Sequence, residues 1–176
     1  IMKSFIEEFQ NDHEKNSETV ICVCGPSGAG KGTVGKTIAD KLNLNFYSAG
    51  DFFRDLAEEK DMTVEELSEE ADKDTDIQVD RRTLEKGLKE DCVIESRISA
   101  WVLGSYADFK IYITAEIDER AKRVKSSLKD RKAEEAGDIE EVKNRIEKRD
   151  EDNYRRYQEY YGIDMRDVTK FDLVID

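Results

Sequence analysis

The sequence predicts an α/β fold: a five-stranded parallel sheet with helices on both faces. A short β-branched run, Thr19-Val20-Ile21-Cys22-Val23-Cys24, leads straight into the glycine-rich turn Gly25-Pro26-Ser27-Gly28-Ala29-Gly30-Lys31-Gly32-Thr33. Apolar residues at helical spacing follow at Val34, Ile38, Ala39 and Leu42. Further strand-like and helix-like segments alternate to the end of the chain, a pattern that favours parallel pairing through helical crossovers. With 176 residues, the chain is large enough for one domain with a full core.

Taken in order, residues 1–18 read as an N-terminal extension. Ser4 and Glu7 have capping-box spacing, Phe5, Ile6 and Phe9 make an apolar stripe, and Asn11 to Glu18 is a polar linker. The domain proper spans 19–176. Its second strand is Asn45-Phe46-Tyr47-Ser48, and Ala49-Gly50-Asp51 turns into a helix carrying Phe52, Phe53, Leu56 and Ala57. Thr63 and Glu66 form another capping box ahead of Val64, Leu67 and Ala71, and Ile77, Leu84 and Leu88 continue the helical spacing. Residues from about 50 to 90 therefore form a helical flap beside the sheet. Cys92 to Glu95 is the third strand, Phe109 to Thr114 the fourth and Phe171 to Ile175 the fifth. Between the last two the pattern is helical from Ile117 to Tyr161, broken near Glu135 to Asp138. In such a sheet ligands sit at the carboxyl ends of the strands. Here those ends are Gly25, Ser48, Glu95 and Thr114.

Composition excludes several classes. A net charge of -13 argues against nucleic-acid binding, which needs a basic patch. No stretch approaches about 20 apolar residues, so no membrane-spanning helix is expected. Residues 1–18 do not read as a signal peptide, and a cytoplasmic protein, monomeric by default, is the expectation. Cys22, Cys24 and Cys92 read as buried reduced thiols. His13 is the single histidine and lies in the polar leader, so histidine-based catalysis is not expected.

The chemistry centres on Gly25, Pro26, Ser27, Gly28, Ala29, Gly30, Lys31, Gly32 and Thr33. A loop that wraps a triphosphate turns several backbone N–H groups inward, and glycine permits the dihedrals this requires. The helix that follows adds the partial positive charge of its N-terminus, and Lys31 adds a full charge for the β- and γ-phosphates. Gly32 stands where most phosphate-binding loops of this kind carry Ser or Thr, and Thr33 comes next. Ser48-Ala49-Gly50-Asp51-Phe52-Phe53-Arg54 begins where the second strand ends and offers a second anion a helix N-terminus and an arginine. Glu95-Ser96-Arg97 aims at the same cleft, with a carboxylate suited to Mg²⁺-bound water and an arginine suited to a phosphate. A plain salt-bridged strand end is the alternative there. Arg145, Arg149 and Arg156 fall within roughly 40° of one helix face. Arg145 reads as the helix-surface partner of Glu141, whereas Arg149 and Arg156 read as functional.

Together these residues resemble the nucleoside monophosphate kinases, and among them the archaeal cytidylate kinases. The resemblance covers about residues 19–176 and rests on the Gly25–Thr33 loop, Ser48-Ala49-Gly50-Asp51 with Arg54, Glu95-Ser96-Arg97, Asp118-Glu119-Arg120-Ala121 and Tyr160-Tyr161-Gly162-Ile163-Asp164. Ser96 stands where the family usually has Gly. The resemblance implies a P-loop kinase with an acceptor flap at about 50–90 and a short lid at about 125–138, with Arg131 as the candidate lid arginine. It implies γ-phosphoryl transfer from Mg²⁺·ATP to CMP or dCMP. ATP would be held by Gly25 to Thr33 and Arg120, and the acceptor by Ser48, Asp51, Arg54, Arg81 and Arg97. Lys31, Arg123, Arg149 and Arg156 would stabilise the transferring group, with Thr33 and Glu95 as the metal candidates. Asp80-Arg81-Arg82 lies where the family reads the base, and Trp101 is a further candidate for the flap lining. Adenylate kinase, another nucleoside monophosphate kinase or a P-loop kinase of a small metabolite are the alternatives. The Asp-Gly-Phe-Pro-Arg motif of adenylate kinases is absent. A non-enzymatic guanine-nucleotide switch would need Asn-Lys-x-Asp, which is also absent.

Overall fold

Val20–Cys24 forms β1, the centre of the molecule, with every residue buried. The structure is a computed structural model and describes residues 3–63, 66, 67, 70, 72–130 and 137–176. The order along the chain is α1 (Lys3–Asp12), β1, α2 (Lys31–Leu42), β2 (Asn45–Ser48), α3 (Ala49–Glu59), α4 (Lys73–Lys89), β3 (Cys92–Glu95) and α5 (Ser99–Leu103). It continues with β4 (Phe109–Ile113), α6 (Ile117–Asp130), α7 (Ile139–Tyr161) and β5 (Leu173–Ile175). The five strands are all parallel, in the order β2-β3-β1-β4-β5. The chain runs from β1 to the edge strand β2, returns to fill β3 between them, and then crosses to β4 on the other side, which opens a crevice at the carboxyl end of β1. Val23 and Ser48 both pair in register with Glu95, so the candidate strand ends share one rim of the sheet.

The pleat of β1 explains the two-sided core. Val20, Cys22 and Cys24 join Phe9, Leu84, Leu88, Leu103, Tyr157 and Tyr161 on one face. Ile21 and Val23 join Ala29, Ala39, Val93, Ile111 and Ile113 on the other. Successive side chains of a strand point to opposite faces, so a strand covered on both sides reads as one continuous apolar run. The three cysteines are free and buried, and burial pushes the Cys24 thiol up to about 11 and Cys92 to about 12. Leu84, on α4, is wholly buried in the first face. Leu84→Ala is expected to lower stability by about 2–5 kcal/mol, read from the urea unfolding midpoint at unchanged m value.

Three local expectations change. Helix α1 begins at Lys3, so Ser4 lies inside it rather than at its cap. The helix packs on the domain, with Phe9 buried and Phe5 and Ile6 beside it. Helix α5, which carries no strong helical pattern of its own, is held by Ser96, whose Oγ accepts from the Ile98 and Ser99 N–H groups. Strand β5 starts at Leu173, because Phe171 turns instead into the core against Trp101 and Tyr112. The Thr63–Glu66 capping box forms as expected, whereas Val64 and Ala71 lie outside the described residues. Residues 125–130 of the expected lid continue α6, and 131–136, including Arg131, lie outside the described residues.

Candidate active site

The loop after β1 owes its shape to its glycines. Gly25, at φ 147°, is pressed so close to β4 that a Cβ would stand 1.9 Å from the Ile113 carbonyl oxygen. Gly30, at φ 96°, ends the loop as the N-cap of α2, and no side chain caps that helix. The first N–H groups of α2 are thereby left facing the crevice for an anion.

Lys31 opens α2 and is largely buried. Its Nζ donates to the Pro26 carbonyl at 2.9 Å and lies 3.6 Å from Glu95 Oε1. Burial is the main cause that lowers its pKa, and the Glu95 carboxylate opposes it. Glu95 is itself fixed on the flap side, where Ser48 Oγ donates to its Oε2 at 2.9 Å. The same hydroxyl accepts from Gly50 N at 3.1 Å and so caps α3. Ser48 therefore ties the start of the flap to the carboxylate beside the loop lysine.

Arginines from two other segments, the turn after β3 and helix α6, reach the same loop. Arg97, after β3, donates through Nη2 to Ser27 Oγ at 2.5 Å. From α6, Arg120 donates to the Ser27 carbonyl at 3.0 Å and Arg123 to the Ala29 carbonyl at 2.9 Å. Arg149, on α7, is exposed, and its pKa is lowered first by the charge of Arg97 and then by partial desolvation, so the two guanidinium groups feel one another. Arg97 Nε is buried without a hydrogen-bond partner among the described residues. Crowded cations and an unused buried donor, in a chain of net charge -13, form a site built for a polyanion.

Other expected residues are placed differently. Arg156 lies 2.9 Å from Asp76 Oδ2 on α4, and its Nη2 donates to Asn153 Oδ1 at 2.9 Å. Arg54 pairs with Asp51 three residues before it, both half-exposed. Thr33 is exposed and sits two residues, or about 200°, round α2 from Lys31. Arg81 is not brought to the cleft, because its guanidinium lies 5.2 Å over the Phe5 ring of α1. Arg82 turns to Glu59 of α3. Trp101 packs edge-on against Phe171 and joins the apolar core cluster that includes Leu84 and Leu88. Asp80 is buried and accepts from the Tyr161 hydroxyl, which closes it to a base.

Asp150 and Asn153 carry weight that sequence reasoning missed. Asp150 accepts from Ser27 N at 3.2 Å and from Arg120 at 2.7 Å, bracing the loop against both α6 and α7. Asn153 is buried, donates to the Arg149 carbonyl and accepts from Arg156. Their spacing with Arg149 and Arg156 on one helix was the available signal. The described residues hold no group of three or more His, Cys, Asp or Glu able to grip a metal. Mg²⁺, which keeps most of its water and binds through one or two carboxylates plus phosphates, fits Glu95 in that role.

The profile of the cytidylate kinase-like family matches residues 20–176. The cytidylate kinase of Ignicoccus hospitalis is 40% identical over 161 residues, covering 90% of this chain and 89% of that protein. That of Halobacterium salinarum is 39% identical, covering 89% and 80%. Among solved structures, an uncharacterized protein from Eubacterium ventriosum superposes with a TM-score of 0.65 at 19% identity, covering 90% and 87% of the two chains. Shikimate kinase from Bacteroides thetaiotaomicron superposes at 0.60 and 19% identity, covering 89% and 85%. Both show the shared fold.

Proposed function

This chain belongs to the cytidylate kinase-like family, and from that premise we propose that it transfers the γ-phosphoryl group of ATP to CMP or dCMP. The observation that carries the reading is the convergence of Lys31, Arg97, Arg120 and Arg123 on one uncapped glycine loop. The acceptor is already a phosphate oxygen, so the reaction needs no strong base. It needs two polyanions brought into line and their charge neutralised.

In this reading the amides of Gly25 to Thr33 and Lys31 hold the donor phosphates. Lys31 exchanges the Pro26 carbonyl for a phosphate oxygen, at little cost because the carbonyl is a neutral partner. Arg97 and Ser48 face the acceptor, with Arg54 and Asp51 at the rim. Arg123, Arg149 and Arg156 close on the transferring group and exclude water, which suppresses hydrolysis of ATP. As the bond from the γ-phosphorus to the β,γ-bridging oxygen breaks, a CMP phosphate oxygen takes its place and ADP leaves with the charge. Glu95, and less directly Thr33, would hold a Mg²⁺ ion, which would supply positive charge to neutralise the phosphates. Residues 19–176 are the catalytic domain and 1–18 an extension of it. The working unit is taken as a cytoplasmic monomer. Among the described residues no helix is long and apolar enough to cross a membrane.

Coupled ADP release with Mg²⁺·ATP tests the proposal against CMP, dCMP, UMP, AMP and GMP. The expected result is turnover with CMP and dCMP at a kcat/KM at least about tenfold above that for AMP or GMP. Preference for AMP would overturn the base assignment. Activity with none of the five would overturn the acceptor class.

A further inference from the structure

Two polar rungs, one helical turn apart, join α4 to α7. Asp76 and Asp80 are four residues apart on α4, as are Tyr157 and Tyr161 on α7, so each pair stacks along one face. The lower rung is the hydrogen bond that the Tyr161 hydroxyl donates to Asp80 Oδ2. The upper rung is the ion pair between Arg156 Nε and Asp76 Oδ2. Only the lower rung is closed. Asp76 Oδ2 and Arg156 Nε are 2.9 Å apart, yet neither buried atom has a well-aligned hydrogen bond among the described residues. Arg156 is anchored by its Nη2 bond to Asn153 and lies over the Tyr157 ring, whereas its link to Asp76 is held by charge rather than by bond geometry, so that link is the one it can exchange.

The lower rung needs a reason of its own. Tyr157 and Tyr161 already pack with Leu84, Leu88 and Val102 in the core, and a carboxylate placed among them costs stability that an apolar side chain would not. We propose that Asp80 is a positioning residue for phosphoryl transfer, whose charge sets how firmly Asp76 keeps Arg156 from an acceptor phosphate. The inference rests on the reading above, in which Arg156 closes on the phosphates.

The electrostatics give the proposal a direction. Burial raises the Asp80 carboxyl to about 7; the Tyr161 bond pulls it down, Asp76 pushes it up and Arg156 pulls it down again. Asp72 and Arg97 also bear on Asp76, and Tyr157 stays protonated because it is buried. Below about pH 7 Asp80 is neutral, and Arg156 faces the single charge of Asp76. Above it, two carboxylates face one guanidinium, and Arg156 is given up less readily. The share of CMP affinity that comes from Arg156 therefore falls as pH rises through about 7.

The test is the Kd of CMP, measured by titration calorimetry from about pH 5.5 to 8.5 for wild type, Asp80→Asn and Tyr161→Phe. Unfolding temperatures are recorded alongside. The CMP phosphate titrates near pH 6, equally for every variant, so the ratio of wild-type to variant Kd is the readout. Asn keeps a hydrogen bond to Tyr161 but carries no charge. The expected ratio against Asp80→Asn is near one at the acid end and rises on the order of tenfold at the alkaline end. Tyr161→Phe removes a bond that holds the carboxyl down, so its own inflection is expected at higher pH than that of wild type. A ratio flat with pH, with only the unfolding temperature altered, would overturn the proposal. If Asp80→Asn does not fold, a Tyr161→Phe inflection that stays in place overturns it instead. Wild type that neither binds nor phosphorylates CMP at any pH would overturn the functional reading on which this one rests.

Discussion

Replacing Lys31 with Met is expected to lower kcat by on the order of 10²–10³-fold, while thermal stability stays within about 1 kcal/mol of wild type. The two effects separate because Lys31 does two unequal things. In the structure its ammonium group meets one neutral carbonyl at 2.9 Å and one carboxylate at 3.6 Å, too far for a hydrogen bond. Losing those contacts leaves Glu95 still bonded to Ser48 and partly open to water, so little stability is lost. In the reaction the same group is the one side-chain charge supplied from inside the loop, where charge builds up on the transferring phosphoryl group. Burial strengthens that interaction, because water does not screen it. Met matches the length and apolar stem, so the side chain still fills its place in the core. Steady-state kinetics and a melting curve on the same preparation check both halves. Retention of more than about a tenth of the activity would remove Lys31 from the catalytic role.

Gly25→Ala is expected to destabilise the domain by about 2–6 kcal/mol and to abolish measurable ATP binding. The added Cβ would stand 1.9 Å from the Ile113 carbonyl oxygen, and backbone cannot swing away as the end of a side chain can. The residue also sits at φ 147°, which L side chains rarely adopt. Relief would require β1 and β4 to part just where the phosphate loop begins. Gly32→Ala makes the comparison sharp. A Cβ there meets nothing within 4 Å, and alanine is the better helix former by about 1 kcal/mol. Its melting temperature is therefore expected to stay level or rise. Denaturant titrations of the two variants, with nucleotide binding followed by fluorescence, distinguish a loop that is strained from one that is merely glycine-rich.

Much of the site was legible because its chemistry is local. A loop that must reach φ 147°, 78° and 96° at Gly25, Gly28 and Gly30 selects glycine whatever the rest of the chain does, and the lysine that follows names the ligand. Ser48 and Glu95 were legible for a related reason. Each ends a parallel strand, and parallel register aligns those ends on one rim. Arg81 is placed over Phe5 instead of at the cleft, because proximity in sequence to a functional motif says nothing about the facing side. Neighbouring residues on a helix point about 100° apart, so Asp80 turns into the core toward Tyr161 while Arg81 turns outward to Phe5.

The sequence by itself determined the five strands and the long helices between them, the phosphate loop, the count of arginines available to it and the family to which the chain belongs, but not the short α5. These depend on backbone dihedrals, side-chain periodicity and short spacings, all of which act over a few residues. Only the tertiary structure decided which arginines meet the loop and which are held elsewhere. Asp150 bridges Ser27 to Arg120 across positions 27, 120 and 150, and Asp76 holds Arg156 across 80 residues. Such pairings are set by how α4, α6 and α7 pack over the sheet edge, and that packing is a property of the whole apolar core rather than of any one segment.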